Sequence, residues 1–385
     1  MKRICIYCSM VALAILTFRC ATDEVSEDIA GSDSHPLDSE LSEFLSCQGF
    51  DLTDAKLYDE HIVLEHDIVI RLDEIKRMMN ERTPGNGKTE QFVTNIGSIV
   101  TFNNVLDITF FIDNSVGPID GDWEAAIRTA TQNWEDLTYS RIGFTEVFTA
   151  GQADLVFYAD THTSLPTCAR NLSSGTYAMA EFPGGGQPGR WISINDNDLS
   201  ATQANRETVI RHELGHALGF RHDNPINGNG EQTNYTGSSA CGNDVLGANL
   251  LVGTPTSDGA SIMVPSIGTS TSINLSTNDA KSATFLYPAG YSAPQISTIT
   301  QYYKSPTTKD ININMVNPTV RMYRFRVERL PPWSSTPVQT TEYTTTSNSF
   351  WLLNVPHGTW NFRITSLNYA RDASMPGITK MFTVQ

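Results

Sequence analysis

Residues 212–222 read HELGHALGFRH, and this run constrains the fold more than any other part of the chain. His212 and His216 are four positions apart, so on a helix they lie on one face and can bind one metal ion. Glu213 lies between them, where its carboxylate can reach a metal-bound water as a general base. The spacing therefore predicts a helix that presents two imidazoles and a carboxylate to a zinc ion.

The residues that follow extend this pattern. Gly219 comes three residues after His216, where a helix can end in a turn with positive φ. His222 follows three residues later, where the returning chain can bring a third imidazole to the same metal. Before the run, Ser200 and Gln203 have the spacing of a capping box, which favours a helix start there. The pattern predicts three zinc ligands and one catalytic base, namely His212, His216, His222 and Glu213.

The same run resembles the extended zinc signature HExxHxxGxxH of the metzincin metallopeptidases. Members of that class have a methionine turn downstream, and residues 261–265 (SIMVP) resemble one, which implies that Met263 lies under the three imidazoles. Residues 275–287 resemble the closing helix of matrixin-like members. As a whole, residues 95–290 look most like bacterial secreted HEIGH-type metallopeptidases, with Leu214 where that label has isoleucine. The resemblance implies a zinc-dependent endopeptidase.

The resemblance also implies an edge strand that binds the substrate, at residues 175–183. Its expected substrate-binding residues are Tyr177, Ala178, Met179 and Ala180. An edge strand has unpaired N–H and C=O groups, so it can bind an extended polypeptide by strand addition. The alternative, a cell-surface binding or adhesion protein on the same scaffold, is disfavoured because a binder does not need the base Glu213. Astacins also have a tyrosine two residues after the turn methionine, but Pro265 stands there, so the oxyanion stabiliser is unassigned.

A further resemblance concerns latency. Residues 64–68 (LEHDI) resemble the aspartate-switch segment FxGD of astacin-type propeptides, in which the aspartate occupies the position on zinc that water needs. Here His66 replaces the glycine and Leu64 the aromatic residue. Cys47 is the competing candidate, because a thiolate also binds zinc, although its neighbours do not match the matrixin cysteine switch. A third alternative is that neither residue contacts zinc. We favour Asp67 and a protein made as a latent zymogen.

The N-terminal residues indicate an exported protein, and the net charge argues against one class of partner. Lys2 and Arg3 precede an apolar run at residues 4–18 that is too short to span a membrane, which is typical of an export signal. Cys20 ends this run before an acidic segment and resembles a bacterial lipoprotein site. We expect a monomer at the bacterial outer membrane or cell surface that contacts the membrane only through a lipid anchor at Cys20, with plain secretion as the alternative. The formal net charge of −16 argues against nucleic-acid binding.

A possible disulfide and possible calcium binding are two further features of the predicted catalytic domain. Cys168 and Cys241 lie on either side of the zinc run, and export permits a disulfide between them, with inert buried thiols as the alternative. Residues 195–198 and 223–260 are rich in the oxygen ligands that calcium prefers. Their spacing matches no EF-hand loop, so we favour ordinary polar loops and leave Ca²⁺ unsupported.

These signals divide the chain into four segments. They are a signal at 1–20, an acidic pro-like region at 21–92, a metzincin zinc peptidase domain at 93–292 and an all-β module at 293–385. The linker signal TPGNGK at 83–88 separates the second from the third. In the last segment, short β-rich runs alternate with turn signals, as in fibronectin type III or Ig-like modules. The predicted class is α+β, with a mixed twisted sheet and an active-site helix followed by a small β-sandwich.

Overall fold

The structure of the chain is a computed structural model. It describes residues 34–47, 50–80, 99–119, 121–196, 202–222, 254, 258–264, 273–290, 294–316, 324–344, 347–368, 374–377 and 379–385. The expected lipidation site Cys20, the disulfide partner Cys241 and the side chain of Cys47 lie outside these residues. Within them, no helix is long and apolar enough to cross a membrane.

The first part of the described chain forms one mixed eight-stranded sheet. Its strands are β1 (Lys56–Tyr58), β2 (His61–Leu64), β3 (Ile68–Arg71), β4 (Ile108–Ile112), β5 (Phe144–Glu146), β6 (Leu155–Ala159), β7 (Ala178–Glu181) and β8 (Trp191–Ile194). Their order across the sheet is β1-β2-β3-β7-β8-β6-β4-β5. β2 pairs antiparallel with both β1 and β3, and β3 joins the rest by pairing parallel with β7. The acidic pro-like region therefore contributes three strands to the sheet of the following segment.

In the described part of the chain, five α-helices accompany this sheet: α1 (Ser39–Cys47), α2 (Leu72–Asn80), α3 (Trp123–Glu135), α4 (Gln203–Ala217) and α5 (Thr277–Leu286). α3 buries the apolar face that its sequence spacing predicts, and it packs on α4. The contact includes a hydrogen bond of 3.1 Å from the indole nitrogen of Trp134 to the carbonyl of Arg211. Because packing against α3 anchors one face of α4, the side chains on the opposite face of α4 are held in place.

The start of α4 differs from the sequence prediction. Its N-cap is Thr202, which has extended backbone angles and accepts a hydrogen bond of 3.2 Å from the amide of Asn205. Gln203 is already helical, and its side-chain amide donates to the carbonyl of Asp122 at 3.0 Å. The capping box predicted from Ser200 and Gln203 is therefore wrong, because the true cap lies one position before the glutamine and that glutamine binds a neighbouring element.

The last part of the chain is all β. Its strands are β9 (Ile296–Ser305), β10 (Thr308–Met315), β11 (Arg324–Leu330), β12 (Gln339–Thr344), β13 (Ser349–Pro356), β14 (Gly358–Leu367), β15 (Ser374–Pro376) and β16 (Lys380–Val384). They form a three-stranded sheet in the order β13-β10-β9 and a five-stranded sheet built around β11 and β14, both antiparallel. Ile311 and Phe350 of the first sheet share one hydrophobic cluster with Phe325 and Phe362 of the second. The protein is thus mixed α+β, with additional antiparallel sheets after the mixed one.

Candidate active site

Three imidazoles meet at the C-terminal end of α4. His212 and His216 lie on the same face of the helix, and a turn at Gly219, whose φ is 95°, brings His222 back to them. The Nε2 atoms of His212 and His216 are 3.0 Å apart, and each lies 3.2 Å from Nε2 of His222. All three side chains are buried. The structure therefore brings together the three ligands that the spacing predicts.

The other nitrogen of each ring faces a hydrogen-bond acceptor. Nδ1 of His212 lies 2.7 Å from the carbonyl of Ile262, and Nδ1 of His216 lies 2.9 Å from the carbonyl of Phe220. Nδ1 of His222 lies 3.2 Å from Oε2 of Glu65. Since carbonyl and carboxylate oxygens only accept, each Nδ1 carries the proton and donates it. The Nε2 atoms thus face a common centre and are the ring atoms that would coordinate a metal ion.

This donor set fits a zinc ion. Three ring nitrogens that face one centre can each donate a lone pair to a cation placed between them. With Zn–N bonds of about 2.0–2.1 Å, tetrahedral geometry places ligand nitrogens about 3.3–3.4 Å apart, close to the distances found here. His212, His216 and His222 are the residues that would hold the metal, and the buried environment suits neutral imidazole ligands.

Asp67 occupies the fourth side of this cluster. Its Oδ2 lies 3.3 Å from Nε2 of His222 and 3.6 Å from Nε2 of His212, and its Oδ1 lies 3.9 Å from Nε2 of His216. Burial opposes ionisation of this carboxyl, but the charge of His222 and the hydrogen bonds from His212 and His222 outweigh it and lower the pKa of Asp67. The Asp67 carboxylate and the three histidines together form a group that can hold a metal ion.

Glu213 lies beside this group and is almost completely buried. Burial, and then the charge of Asp67, raise the pKa of Glu213 well above its ordinary value. Its Oε2 has no hydrogen-bond partner among the described residues. While Asp67 is in place, its charge thus favours the protonated form of Glu213, which opposes the action of Glu213 as a base.

A tight hairpin carries Asp67 to the histidines. β2 and β3 pair Leu64 with Ile68, and the turn between them has Glu65 at φ 54° and His66 at φ 77°. Positive φ at two consecutive residues other than glycine is strained and persists only where surrounding contacts hold it. The hairpin continues along β7, because the amide of Ala180 donates to the carbonyl of Asp67 at 3.1 Å.

The expected substrate-binding strand is therefore covered in this structure. Ala178, Met179 and Ala180 lie in β7, and Tyr177 comes directly before it. One side of β7 pairs with β8, and the other pairs with β3 through Ile68 opposite Ala180. Two features of the pro-like region thus occupy the site: a carboxylate at the metal position and a strand along β7.

Met263 lies in a tight turn beneath the HELGHALGFRH run at residues 212–222. It is buried, and its sulfur packs against α4 at Gly215, between His212 and His216 in sequence. A Cβ added at Gly215 would lie 2.3 Å from Sδ of Met263 and 3.6 Å from Cζ2 of Trp134. The absence of a side chain at Gly215 is therefore what allows the methionine to approach the helix.

We expect Gly215→Ala to lower the free energy of unfolding by roughly 1–3 kcal/mol, the usual cost of overpacking a core. The better helix propensity of alanine offsets only about 1 kcal/mol of the strain. Chemical denaturation of the two proteins measures the difference. Gly151→Ala is the control for the glycine change itself, because nothing lies within 4 Å of a Cβ built there. Equal stability of Gly215→Ala and the parent would contradict tight packing of Met263 on α4.

Cys168 lies away from the histidine group. It is buried in a cluster that includes Val63, Val69 and Trp191. Burial raises the pKa of its thiol to about 12, so the reduced form stays protonated near neutral pH. It is a free cysteine among the described residues. Because Cys241 lies outside them, the Cys168–Cys241 disulfide stays a prediction.

Three further residues at the site were not predicted from the sequence. Glu65 and Arg221 contact each other beside His222, and Asp279 supports the methionine turn. Asp279 accepts hydrogen bonds from the hydroxyl of Ser261 and the amide of Ile262, at 2.6 and 2.9 Å. Only Asp279 had a sequence signal, because Ser276 and Asp279 have capping-box spacing at the start of α5.

A helix that supplies two histidines and a glutamate, followed by a glycine turn and a third histidine, defines a metallopeptidase of the metzincin-like class. Comparison with known proteins agrees, and the chain belongs to the family of dual-action HEIGH metallopeptidases, whose family model matches residues 62–287, more than half of the chain. The resemblance identified from the zinc run is confirmed.

Individual relatives are more distant. Serralysin A of Dickeya chrysanthemi is 30% identical over 38% of this chain, and the match spans 36% of serralysin A. Among solved structures, myroilysin is 16% identical with a TM-score of 0.28, covering 52% of this chain and 100% of that one. OgpA from Akkermansia muciniphila is 11% identical with a TM-score of 0.22, covering 79% of this chain and 95% of that one. TM-scores this low do not establish a shared fold.

Proposed function

We propose that the chain is a zinc-dependent endopeptidase that acts on extracellular proteins and is made as a latent zymogen. One observation carries the proposal: three buried imidazoles converge within 3.2 Å of one another, and the carboxylate of Asp67 closes the group. Family membership supports a metallopeptidase. The retention of Glu213 beside the imidazoles supports an enzyme rather than an adhesion protein on the same scaffold.

The chemistry follows from the donor set. Zinc bound by the three Nε2 atoms would lower the pKa of a water and polarise the scissile carbonyl. Glu213 is the group placed to take the proton of that water and to pass it to the leaving amine. For this, Glu213 must be ionised, and removing the negative charge of Asp67 takes away one of the two causes that raise its pKa.

Latency in this proposal has two parts. The carboxylate of Asp67 stands where the nucleophilic water is needed, and β3 occupies the backbone groups of β7 that would pair with a substrate. Departure of the hairpin would free the water position and the backbone groups of β7 at the same time. β7 would then be an edge strand that can pair with an extended peptide. A strand-pairing site of this kind supports a polypeptide substrate.

We further propose that the protein is exported, either anchored through Cys20 or secreted. The two antiparallel sheets of the last segment are proposed to be a β-sandwich module without a part in the chemistry, and their shared hydrophobic cluster supports this. The ligands His212, His216 and His222 all lie before that module in the sequence.

The proposal is tested on the full chain with a specific protease site inserted at residues 83–88. We expect one zinc per chain by elemental analysis, and cleavage of a peptide library after the cut but not before it. A chelator should abolish this cleavage and added zinc should restore it. N-terminal sequencing confirms the cut. Zinc-loaded, cut protein that cleaves no peptide would contradict the proposed function.

A further inference from the structure

Arg329 is a buried arginine near the end of β11. The residue is 9% exposed, and its Nε and Nη1 are buried without a hydrogen-bond partner among the described residues. Phe325 and Val327 precede it at alternate positions of β11 and belong to the hydrophobic cluster shared by the two sheets. The side chain of Arg329 therefore points to the core side of its sheet. Burial lowers the pKa of Arg329, as expected for a cation taken out of water.

The carboxylates at neighbouring positions of the sheet are bound to other arginines. Arg326, three residues earlier on β11, binds Glu342 of β12 at 2.9 Å. Glu328, directly before Arg329, points to the other side of the sheet and binds an arginine of β14. The residue opposite Arg329 on β12 is Gln339, which is neutral. The sheet thus places an amide opposite Arg329, whereas it places a carboxylate opposite Arg326.

Gln339 and Trp360 complete the surroundings of this guanidinium. The side-chain amide of Gln339 donates to the carbonyl of Leu353 in the other sheet at 3.1 Å, so the Gln339 side chain also lies between the two sheets. Its Oε1 is buried and has no donor among the described residues. The guanidinium of Arg329 lies over the ring of Trp360, with 4.2 Å between its central carbon and the ring centroid. This contact uses the face of the guanidinium and leaves the N–H groups in its plane available.

Unpaired donors and an unpaired acceptor therefore lie near each other, since opposite residues of paired strands have Cβ atoms about 4.5–5.5 Å apart. Buried polar groups in folded proteins are paired in the large majority of cases, and a buried ion without a partner is especially unfavourable. A carboxylate is the group that complements the guanidinium, because its two oxygens accept parallel hydrogen bonds from the planar fork. An N–H group beside that carboxylate would donate to Oε1 of Gln339.

We propose that Arg329, Gln339 and Trp360 form a binding site for a carboxylate of a polypeptide. A polypeptide supplies the acceptor and the donor together, because each of its carboxylates lies close to a backbone N–H. An acidic sugar also carries a carboxylate, but the guanidinium already lies over the ring of Trp360, so that face is not open to a sugar ring. The inference goes beyond the proposed peptidase function and does not depend on it, since the site lies in the all-β segment after the histidines.

The test measures binding to the full, uncut chain in the presence of a chelator, so that no peptide is cleaved. Short peptides are titrated in matched pairs and followed by ligand-observed NMR. In one pair the central residue is glutamate or glutamine, and the C-terminus is amidated. In the other the central residue is glutamine, and the C-terminus is a free acid or an amide, which separates the two sources of a carboxylate. We expect a Kd about 10- to 100-fold lower for the carboxylate member of at least one pair, the range of a charged hydrogen bond.

Two variants assign the binding to this place. Arg329→Gln should bring the ratio of Kd values within each pair to about 1, because it removes the cation and leaves no buried ion behind. Gln339→Glu places a carboxylate of the chain itself opposite the guanidinium. We expect it to weaken binding of the preferred peptide at least about 10-fold and to raise the midpoint of thermal unfolding. Arg326→Gln is the control, since Arg326 lies on the same strand and already binds Glu342; its ratio should equal that of the parent.

Three results would contradict the proposal in different ways. Equal Kd values for both members of every pair overturn the site and leave the peptidase function untouched. A preference that survives in Arg329→Gln overturns the assignment to this arginine. Glucuronate that binds at least about 10-fold more tightly than both carboxylate peptides, and loses this affinity in Arg329→Gln, overturns the polypeptide as the ligand. If circular dichroism shows that Arg329→Gln does not fold, Gln339→Glu decides, because undiminished binding there contradicts the site.

Discussion

Glu213→Gln is expected to lower kcat/KM for peptide cleavage by roughly 100- to 10,000-fold, the usual contribution of a general base, while zinc stays bound. Glutamine has nearly the shape of glutamate, so the packing around this buried position is kept. Its amide cannot accept the proton of the attacking water. Glu213 is not among the metal ligands, so the three imidazoles and their Nδ1 partners are untouched. Steady-state kinetics and elemental analysis on the cut protein measure the two effects separately.

The matched control is Glu207→Gln on the same helix. Glu207 pairs with Arg211 at 2.9 Å and is about one-quarter exposed, away from the histidine group. We expect this variant to cleave peptides within about threefold of the parent, since the buried guanidinium of Arg211 keeps its hydrogen bonds to the side chain of Asn133 and the carbonyl of Ile273. Cleavage by Glu213→Gln at nearly the parent rate, with zinc bound, would reject the proposed mechanism.

The uncut Asp67→Ala protein is expected to cleave peptides about 10- to 100-fold faster than the uncut parent. This range corresponds to losing one charge-assisted contact between the hairpin and the metal centre. The remaining contacts, from Glu65 to Arg221 and from Ala180 to the backbone of residue 67, keep the effect below full activation. Initial rates on a fluorogenic peptide, with and without cutting at 83–88, measure it.

Asp73→Ala is the control for a lost carboxylate in the same region, because Asp73 is exposed on α2 and interacts with Arg71 at 3.8 Å, away from the histidines. It should stay as latent as the parent. Cys47→Ala tests the competing latency candidate. If Cys47→Ala becomes active while Asp67→Ala remains latent, the latency residue is Cys47.

The cluster of three histidines was predictable because the relation between these residues is local. A separation of four on a helix, followed by a glycine turn, fixes three imidazoles within eleven residues, and no distant contact is needed to place them. Asp67 was identified only through resemblance to a propeptide motif. Its arrival at the histidines depends on the pairing of β3 with β7, more than a hundred residues later in the chain, and the local sequence does not encode this register.

The contact between Glu65 and Arg221 could not be predicted from the sequence. Arg221 stands at a position that the HExxHxxGxxH signature leaves open, so nothing in that run predicts its contact with Glu65. The left-handed backbone at Glu65 and His66 was not predictable, because residues of this type rarely adopt it unless tertiary contacts hold them there. The start of α4 at Thr202 was misplaced by a local pattern, because a contact with Asp122 engages Gln203.

The hydrogen bonds of Asp279 connect the first metal ligand to the beginning of a distant helix. Asp279 caps the first turn of α5 and holds the amide of Ile262, whose carbonyl in turn orients the ring of His212. Under the proposed zinc binding, metal binding and helix initiation are therefore linked equilibria. If an ordered α5 strengthens zinc binding by a given free energy, bound zinc stabilises α5 by the same free energy, because such coupling is reciprocal.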